Sequence, residues 1–168
     1  MFKKIDPKKL DTNLFSLLAD DWALLAAGDM DKFNSMTVSW GGTGILWRKP
    51  VTTVYVRQTR YTKEFIDNNE YYTLTFLKDG NKDALSLLGS KSGRDIDKMS
   101  AECGLTPVKL GNGVSYEEAK LVFVCKKDFK TVLKKEDFLD AKIYDECYAD
   151  NNLHTMYIGE IVECYINE

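Results

Sequence analysis

Apolar positions near the start of the chain come in short clusters. Farther along they settle into alternating runs. Leu14, Phe15, Leu17 and Leu18 follow Asp11-Thr12-Asn13, a polar trio of the kind that caps a helix, and predict one short helix. Trp22-Ala23-Leu24-Leu25-Ala26-Ala27 stops at Gly28-Asp29, a turn signal, and 33–40 resumes as a second strand, so the pair reads as a hairpin. Gly41-Gly42-Thr43-Gly44 breaks that second strand, because glycine opens backbone conformations closed to other residues. Residues 51–57 are rich in β-branched side chains and form the clearest strand of the chain. Thr62 then stands as a candidate N-cap before the short helical stretch Lys63-Glu64-Phe65-Ile66.

The next strand runs over 71–77, with Tyr72, Leu74 and Phe76 on one face. Ala84, Leu85, Leu87 and Leu88 have helical spacing and end at Gly89. Gly93-Arg94-Asp95 opens a further helical stretch through Ile96 and Met99. Strands are predicted again at 121–125, where Leu121, Phe123 and Cys125 share a face, at 129–133, and over a long run at 155–166. Strands outnumber helices and there is no regular β-α-β alternation. This argues against a doubly wound parallel sheet and for a mainly β fold, an antiparallel barrel with short helices inserted between strands. There is no linker and no internal repeat, and 168 residues suit a single domain over 1–168 with an N-terminal tail at about 1–11.

Composition narrows the classes. The net charge is −3, and the lysine pairs at 3–4, 8–9, 126–127 and 134–135 are scattered among acids, which argues against a nucleic-acid binder and for solvated surface charge. The aromatic fraction of 12% offers flat ring surfaces for strand faces or for a binding site. Cys103, Cys125, Cys147 and Cys164 form no C-x-x-C pair and His154 is the only histidine, so no metal site is expected. Cys125 and Cys164 fall in strand patterns and read as buried small hydrophobes; Cys103 and Cys147 have room to be exposed, with nothing nearby to activate either. Met1-Phe2-Lys3-Lys4 leads straight into polar residues and no apolar run is long enough to span a bilayer, so the expectation is a cytoplasmic protein with reduced thiols and no membrane partner.

Candidate chemistry concentrates between residues 34 and 62. Arg57 and Arg60 follow a strand and Thr62 lies just beyond them. Arginines in this position suit the oxygens of a phosphomonoester. The alternative is a capping threonine beside two solvent-exposed arginines, and spacing leaves both open. Asn34-Ser35-Met36-Thr37-Val38-Ser39-Trp40-Gly41 offers small polar groups for the rim of a flat heterocycle, with Met36 and Trp40 for its face. Its alternative is a half-buried strand with Met36 and Trp40 in the core.

Four segments in order change the balance: Asn34 to Gly41; Lys49-Pro50-Val51 with Arg57-x-x-Arg60-Tyr61-Thr62; Gly89-Ser90-Lys91-Ser92-Gly93-Arg94-Asp95-x-Asp97-Lys98; and His154-Thr155-Met156-Tyr157-Ile158-Gly159-Glu160-Ile161. Together they resemble the flavin reductase-like family of FMN-binding split barrels, over about 22–166. The resemblance implies a split β-barrel (antiparallel, Greek-key-like) and FMN bound near a homodimer interface. It implies that Asn34, Met36 and Thr37 approach the isoalloxazine and that Arg57, Tyr61 and Thr62 take the phosphate, with Arg60 either assisting or bracing its loop. Ser90, Lys91, Ser92 and Gly93 would form a second cofactor-contacting loop. Gln58 stands where the family more often has proline, which leaves the neighbouring arginines in place.

The expected activity is that of an FMN-dependent oxidoreductase, an NAD(P)H-dependent flavin reductase acting on a small-molecule acceptor. A flavoredoxin-like protein that passes electrons to a protein partner is the alternative, and a non-redox binding protein that kept the fold is a third reading. Gly42-x-Gly44 and Gly111-x-Gly113 lack a third glycine at the required spacing, so NADH or NADPH has no separate Rossmann site and would stack directly on the flavin. His154 has no partner identifiable from the sequence and reads as a structural or interface residue rather than a general base.

Overall fold

The computed structural model describes residues 1–99 and 103–167. Its strands are β1 (Phe2–Ile5), β2 (Ala23–Gly28), β3 (Phe33–Val38), β4 (Gly41–Leu46), β5 (Lys49–Arg57), β6 (Tyr71–Leu77), β7 (Pro107–Leu110), β8 (Gly113–Tyr116), β9 (Ala119–Val132) and β10 (His154–Asn167). Its helices are α1 (Leu14–Ser16), α2 (Thr62–Asn68), α3 (Lys82–Ser90) and α4 (Ala141–Cys147). The main sheet runs β3-β2-β6-β9-β10-β5-β4, with β1 added on β10 and every pairing antiparallel. β10 is long enough to serve two neighbours in succession: residues 154–160 pair with β5 and residues 164–167 with β1. Register shifts at Ile158/Gly159 and Ile161/Glu163 bend the β9–β10 ladder, as bulges do. The sheet curls around one interior, but its ends β3 and β4 do not pair, so the fold is a split β-barrel.

Side-chain alternation explains which face is which. Tyr72, Leu74 and Phe76 of β6 and Leu121, Phe123 and Cys125 of β9 point into the barrel with Ala23, Leu25, Met36, Val54, Val56 and Tyr157. These are the faces that the two-residue period predicts. The opposite face of β2 and β6 is also covered. Leu24 and Leu77 pack there with Leu85 and Leu88 of α3 and with Val114 and Tyr116 of β8. Thr73 and Thr75 lie on this covered face and donate to, or share hydrogens with, Val114 O (2.5 Å) and Ser115 Oγ (2.8 Å). Two-sided burial holds the β2–β3–β6 wall rigid next to the site.

Several expectations are corrected. The predicted tail at 1–11 contains β1, which pairs with β10 from Phe2↔Asn167 to Ile5↔Cys164. The strand from residue 33 does end before 41–44, as expected, but these residues begin a new strand, β4, at the sheet edge. β4 and β5 form a two-residue hairpin in which Trp47 (φ 50°) and Arg48 (φ 63°) both occupy the left-handed region. That turn normally takes Asn-Gly or Gly-Gly, so Trp-Arg hides it, and the pairing from Gly41↔Val54 to Leu46↔Lys49 overrides the low strand propensity of glycine. Trp22 (φ 65°) lies before β2 rather than in it, and Ser39 and Trp40 lie beyond β3.

The predicted strand at 129–133 is the continuation of β9. Residues 93–99 form turns, not a helix: Ser92 starts one turn, its Oγ accepting from Arg94 N and its carbonyl from Asp95 N and Ile96 N, and the turn is not continued. Cys103 is buried like Cys125 and Cys164, while Cys147 is half-buried. No helix among the described residues is long and apolar enough to cross a membrane.

Candidate functional site

The unpaired side of β3, the end of β5 and the loop after α3 meet at one place. The β2–β3 hairpin that aims Asn34 and Met36 there turns at Gly28, whose φ of 118° and close approach to Lys32 O (2.3 Å from a built Cβ) admit only glycine. Two clefts open beside each other and share Met36 and Arg60 as a common wall. The first, about 260 Å³, is lined by Met36 to Trp40, Tyr55, Arg57, Arg60 and His154. The second, about 210 Å³, is lined by Asn34, Met36, Thr59 to Thr62, Ser90, Ser92, Gly93 and Lys98.

Of the residues singled out in the sequence, Asn34, Met36, Thr37, Trp40, Arg57, Arg60, Tyr61, Thr62, Ser90, Ser92 and Gly93 therefore converge. Lys91 does not line either cleft and is exposed.

The first cleft is aromatic. Trp40, 46% exposed, stands 5.3 Å from the His154 ring, and Tyr55 meets that ring edge-on at 6.3 Å. His154 is buried, and its Nδ1 lies 2.8 Å from Tyr148 Oη. Burial first, then the charges of Arg57 and Arg60, push its pKa down to about 4. The unfolded chain, titrating near 6.5, binds this proton more readily than the folded protein does. His154 therefore contributes full stability above about pH 6.5, and that contribution falls away as the pH drops toward about 4. Because the ring faces an open cleft, the loss is expected to be on the order of 2 kcal/mol, less than the bare shift implies. Unfolding free energies of the protein and of His154→Gln from urea titrations should diverge by this amount across that window, and parallel pH curves would contradict the assignment.

The second cleft is polar and cationic. Lys98 is only 4% exposed and donates to Ser35 O (2.9 Å) and Leu88 O (2.8 Å). Burial and then Arg60 lower its pKa to about 8. Arg60 donates to Gly89 O (2.8 Å), and its own pKa is lowered by burial and by Arg57. Among the described residues no Asp or Glu lines this cleft, and Arg60 and Lys98 repel each other across it. Asn34 Nδ2 donates to Thr62 Oγ1 at 2.7 Å, which ties β3 to α2. Thr62 is thus not the N-cap: it is the first helical residue, and Tyr61 in helical conformation precedes it with no side-chain cap. Gly93 closes the cleft so tightly that a Cβ would sit 2.0 Å from Asn34 Oδ1 and 3.0 Å from Tyr61 Cδ1. Arg94 stacks on Tyr61 (4.5 Å) and pairs with Glu64, bracing that wall.

Two side chains are committed elsewhere. Arg57 lines the first cleft, yet Nη2 donates to Cys147 O (2.9 Å) and Nη1 to Asn152 O (3.1 Å) and Asp150 (3.3 Å). It braces the segment between β9 and β10 rather than presenting a free fork to a phosphate. Thr37 Oγ1 donates to Leu85 O at 2.5 Å, which fixes β3 against α3. Sequence reasoning missed Tyr55, Thr59 and Lys98, and gave His154 a structural role. Lys98 ended one of the quoted segments, but lysine is so rarely buried that composition alone sends it to the surface. Among the described residues no group of His, Cys, Asp and Glu could hold a metal ion.

Comparison with known proteins fits this arrangement. No curated protein sequence matches the chain. Flavoredoxin from Methanosarcina acetivorans superposes with a TM-score of 0.67 at 21% identity, covering 88% of this chain and 69% of that one. The FMN-binding domain of a flavin reductases-like enzyme from Shewanella baltica gives 0.68 at 15% identity, with coverage of 99% and 77%. The styrene monooxygenase flavin reductase of Pseudomonas putida gives 0.65 at 16% identity, with coverage of 94% and 88%. At these identities the likeness concerns the fold. The sequence itself carries the assignment: the model of the flavin reductase like domain matches residues 15–168, and the chain belongs to that family.

Proposed function

We propose that this protein is an FMN-binding oxidoreductase that takes electrons from NADH or NADPH and passes them to a small-molecule acceptor. The observation that carries the reading is the pair of adjoining clefts: one aromatic, the other lined by Arg60, Lys98 and hydroxyls, with no carboxylate among the described residues. A flat ring with a phosphate on a flexible tether matches this division. FMN fits the residues present: Arg60, Lys98, Ser90, Ser92 and Thr59 would hold the phosphate end, and Gly93 lets their loop close against Asn34 and Tyr61 where any side chain would collide. Met36, Trp40, Tyr55 and His154 would flank the ring, with Asn34 at the junction. Tyr61 and Thr62 shape the phosphate end, whereas Lys91 has no part in this assignment.

When bound, FMN supplies hydride and single-electron chemistry. The chain's own contribution is to hold and orient it. Burial and the neighbouring arginines keep His154 uncharged, so the aromatic cleft gains no third cation beside Arg57 and Arg60. The first cleft is open to solvent at Trp40, which leaves a ring face reachable by a donor. The exposed Ile45, Trp47 and Phe129, the last two with rings 6.2 Å apart, support a homodimer through this side of β4.

The test is spectroscopic. The purified protein, or the protein mixed with FMN, is expected to show flavin absorbance stoichiometric with the chain, and NADH or NADPH added without air should bleach it. FMN bound but unbleached would favour electron transfer to a protein partner. No flavin bound at all would leave a binding protein of another kind.

A further inference from the structure

The segment between β9 and β10 packs against Arg57 and His154, two residues of the aromatic cleft's wall. Its rings pack on one another: Phe138 lies 5.7 Å from Tyr144 and 5.5 Å from Tyr148, and Tyr144 lies 6.2 Å from Tyr148. Arg57 pins this segment in place. It donates to Cys147 O and Asn152 O, and its guanidinium lies 5.3 Å from the Tyr148 ring centre. Tyr148 is buried and reaches down to His154 Nδ1 at 2.8 Å. Among the described residues His154 Nε2 has no protein partner, and the ring lines the cleft with Trp40 and Tyr55.

We propose that Tyr148 is a positioning residue that locks His154 in the neutral Nε2–H tautomer, so that the cleft presents an uncharged N–H donor to a carbonyl oxygen or ring nitrogen of its ligand. The ligand's identity rests on the flavin reading above; the tautomer does not.

The hydrogen between the two residues can sit on either side, and physical chemistry chooses. A phenol is a far stronger acid than a neutral imidazole N–H, and a bare imidazole nitrogen is a far better acceptor than a phenol oxygen. The stronger bond therefore has Tyr148 O–H donating to a bare Nδ1, which leaves the ring hydrogen on Nε2. The cation nearest to Tyr148 acts in the same direction, because Arg57 makes the phenol a better donor. The charged groups facing the pair are Arg57 and Arg60; Asp150 is engaged by Arg57, and Tyr55 and Cys147 are the remaining titratable neighbours. Both arginines oppose an imidazolium, and an imidazolium could not accept from Tyr148 at all. A neutral donor polarises an acceptor in the cleft without adding a charge beside the two already there.

His154 is the only histidine in the chain, so nitrogen-15 histidine labelling yields a single pair of ring signals. In the FMN-free protein at pH 7, Nε2 is expected at the position of a protonated ring nitrogen and Nδ1 at that of a bare one. Neither should move between pH 8 and about 5. Tyr148→Phe should shift both signals toward the averaged values of exchanging tautomers while circular dichroism reports a folded chain. A wild-type spectrum of the Nδ1–H tautomer would overturn the proposal, whether or not the variant folds. So would a folded Tyr148→Phe with unchanged signals. Adding FMN should move the Nε2–H resonance. FMN that binds, by absorbance, without moving it would refute the donor role. Failure of FMN to bind would count against the flavin reading, with the tautomer still decided by the FMN-free spectra.

Discussion

Arg60→Ala is expected to weaken FMN binding by roughly tenfold to a hundredfold, the worth of one charge-assisted hydrogen bond of about 1.5–3 kcal/mol, and to leave riboflavin affinity nearly unchanged. Arg60 and Lys98 share the polar cleft, and among the described residues no carboxylate lines it. An anion entering there relieves the repulsion between them, so removing one cation removes part of the driving force. Riboflavin lacks the phosphate and gains nothing from that relief. Arg60 also donates to Gly89 O, so some structural cost is expected and a thermal melt must accompany the binding curves. Titrations of FMN and riboflavin at fixed salt decide the matter. Equal losses for both ligands would mean that Arg60 only braces the loop after α3, and that the phosphate end lies elsewhere.

Arg57→Ala should behave differently, with its main effect on stability: about 2–4 kcal/mol, a loss typical of a broken partly buried network. Three acceptors depend on this guanidinium: Cys147 O, Asn152 O and Asp150. Its removal leaves two backbone carbonyls without their donor and withdraws the cation from beside the Tyr148 ring. The segment packed against His154 should loosen, so FMN and riboflavin should weaken together rather than selectively. Urea denaturation measures the first effect and paired titrations the second. A stable variant with a loss confined to FMN would restore Arg57 to the phosphate site, as arginine spacing in the sequence suggests.

The contrast between the two arginines shows where sequence reading ends. Arg57 and Arg60 sit three residues apart at and just beyond the end of β5, and from spacing they are equivalent candidates for a phosphate. What separates them is the segment between β9 and β10, about ninety positions away, which brings its carbonyls to Arg57 and leaves Arg60 at the cleft. Lys98 illustrates the same limit. Nothing local tells a solvated lysine from one held by Ser35 O and Leu88 O, because both partners arrive through folding.

By itself the sequence determined the parts whose cause is local or periodic. The inward faces of β6 and β9 follow from alternation, because a strand must turn every second side chain the same way. The β2–β3 hairpin follows from a glycine turn between two apolar runs. Only the tertiary structure decided the rest. β4 exists because β5 supplies its hydrogen bonds despite three glycines, and β1 because β10 extends past β5 and offers it an edge. The burial of Lys98, the neutral state of His154 and the bracing role of Arg57 arise from groups distant in the chain. Burial and paired hydrogen bonds are set by what surrounds a side chain, and a linear pattern does not record its surroundings.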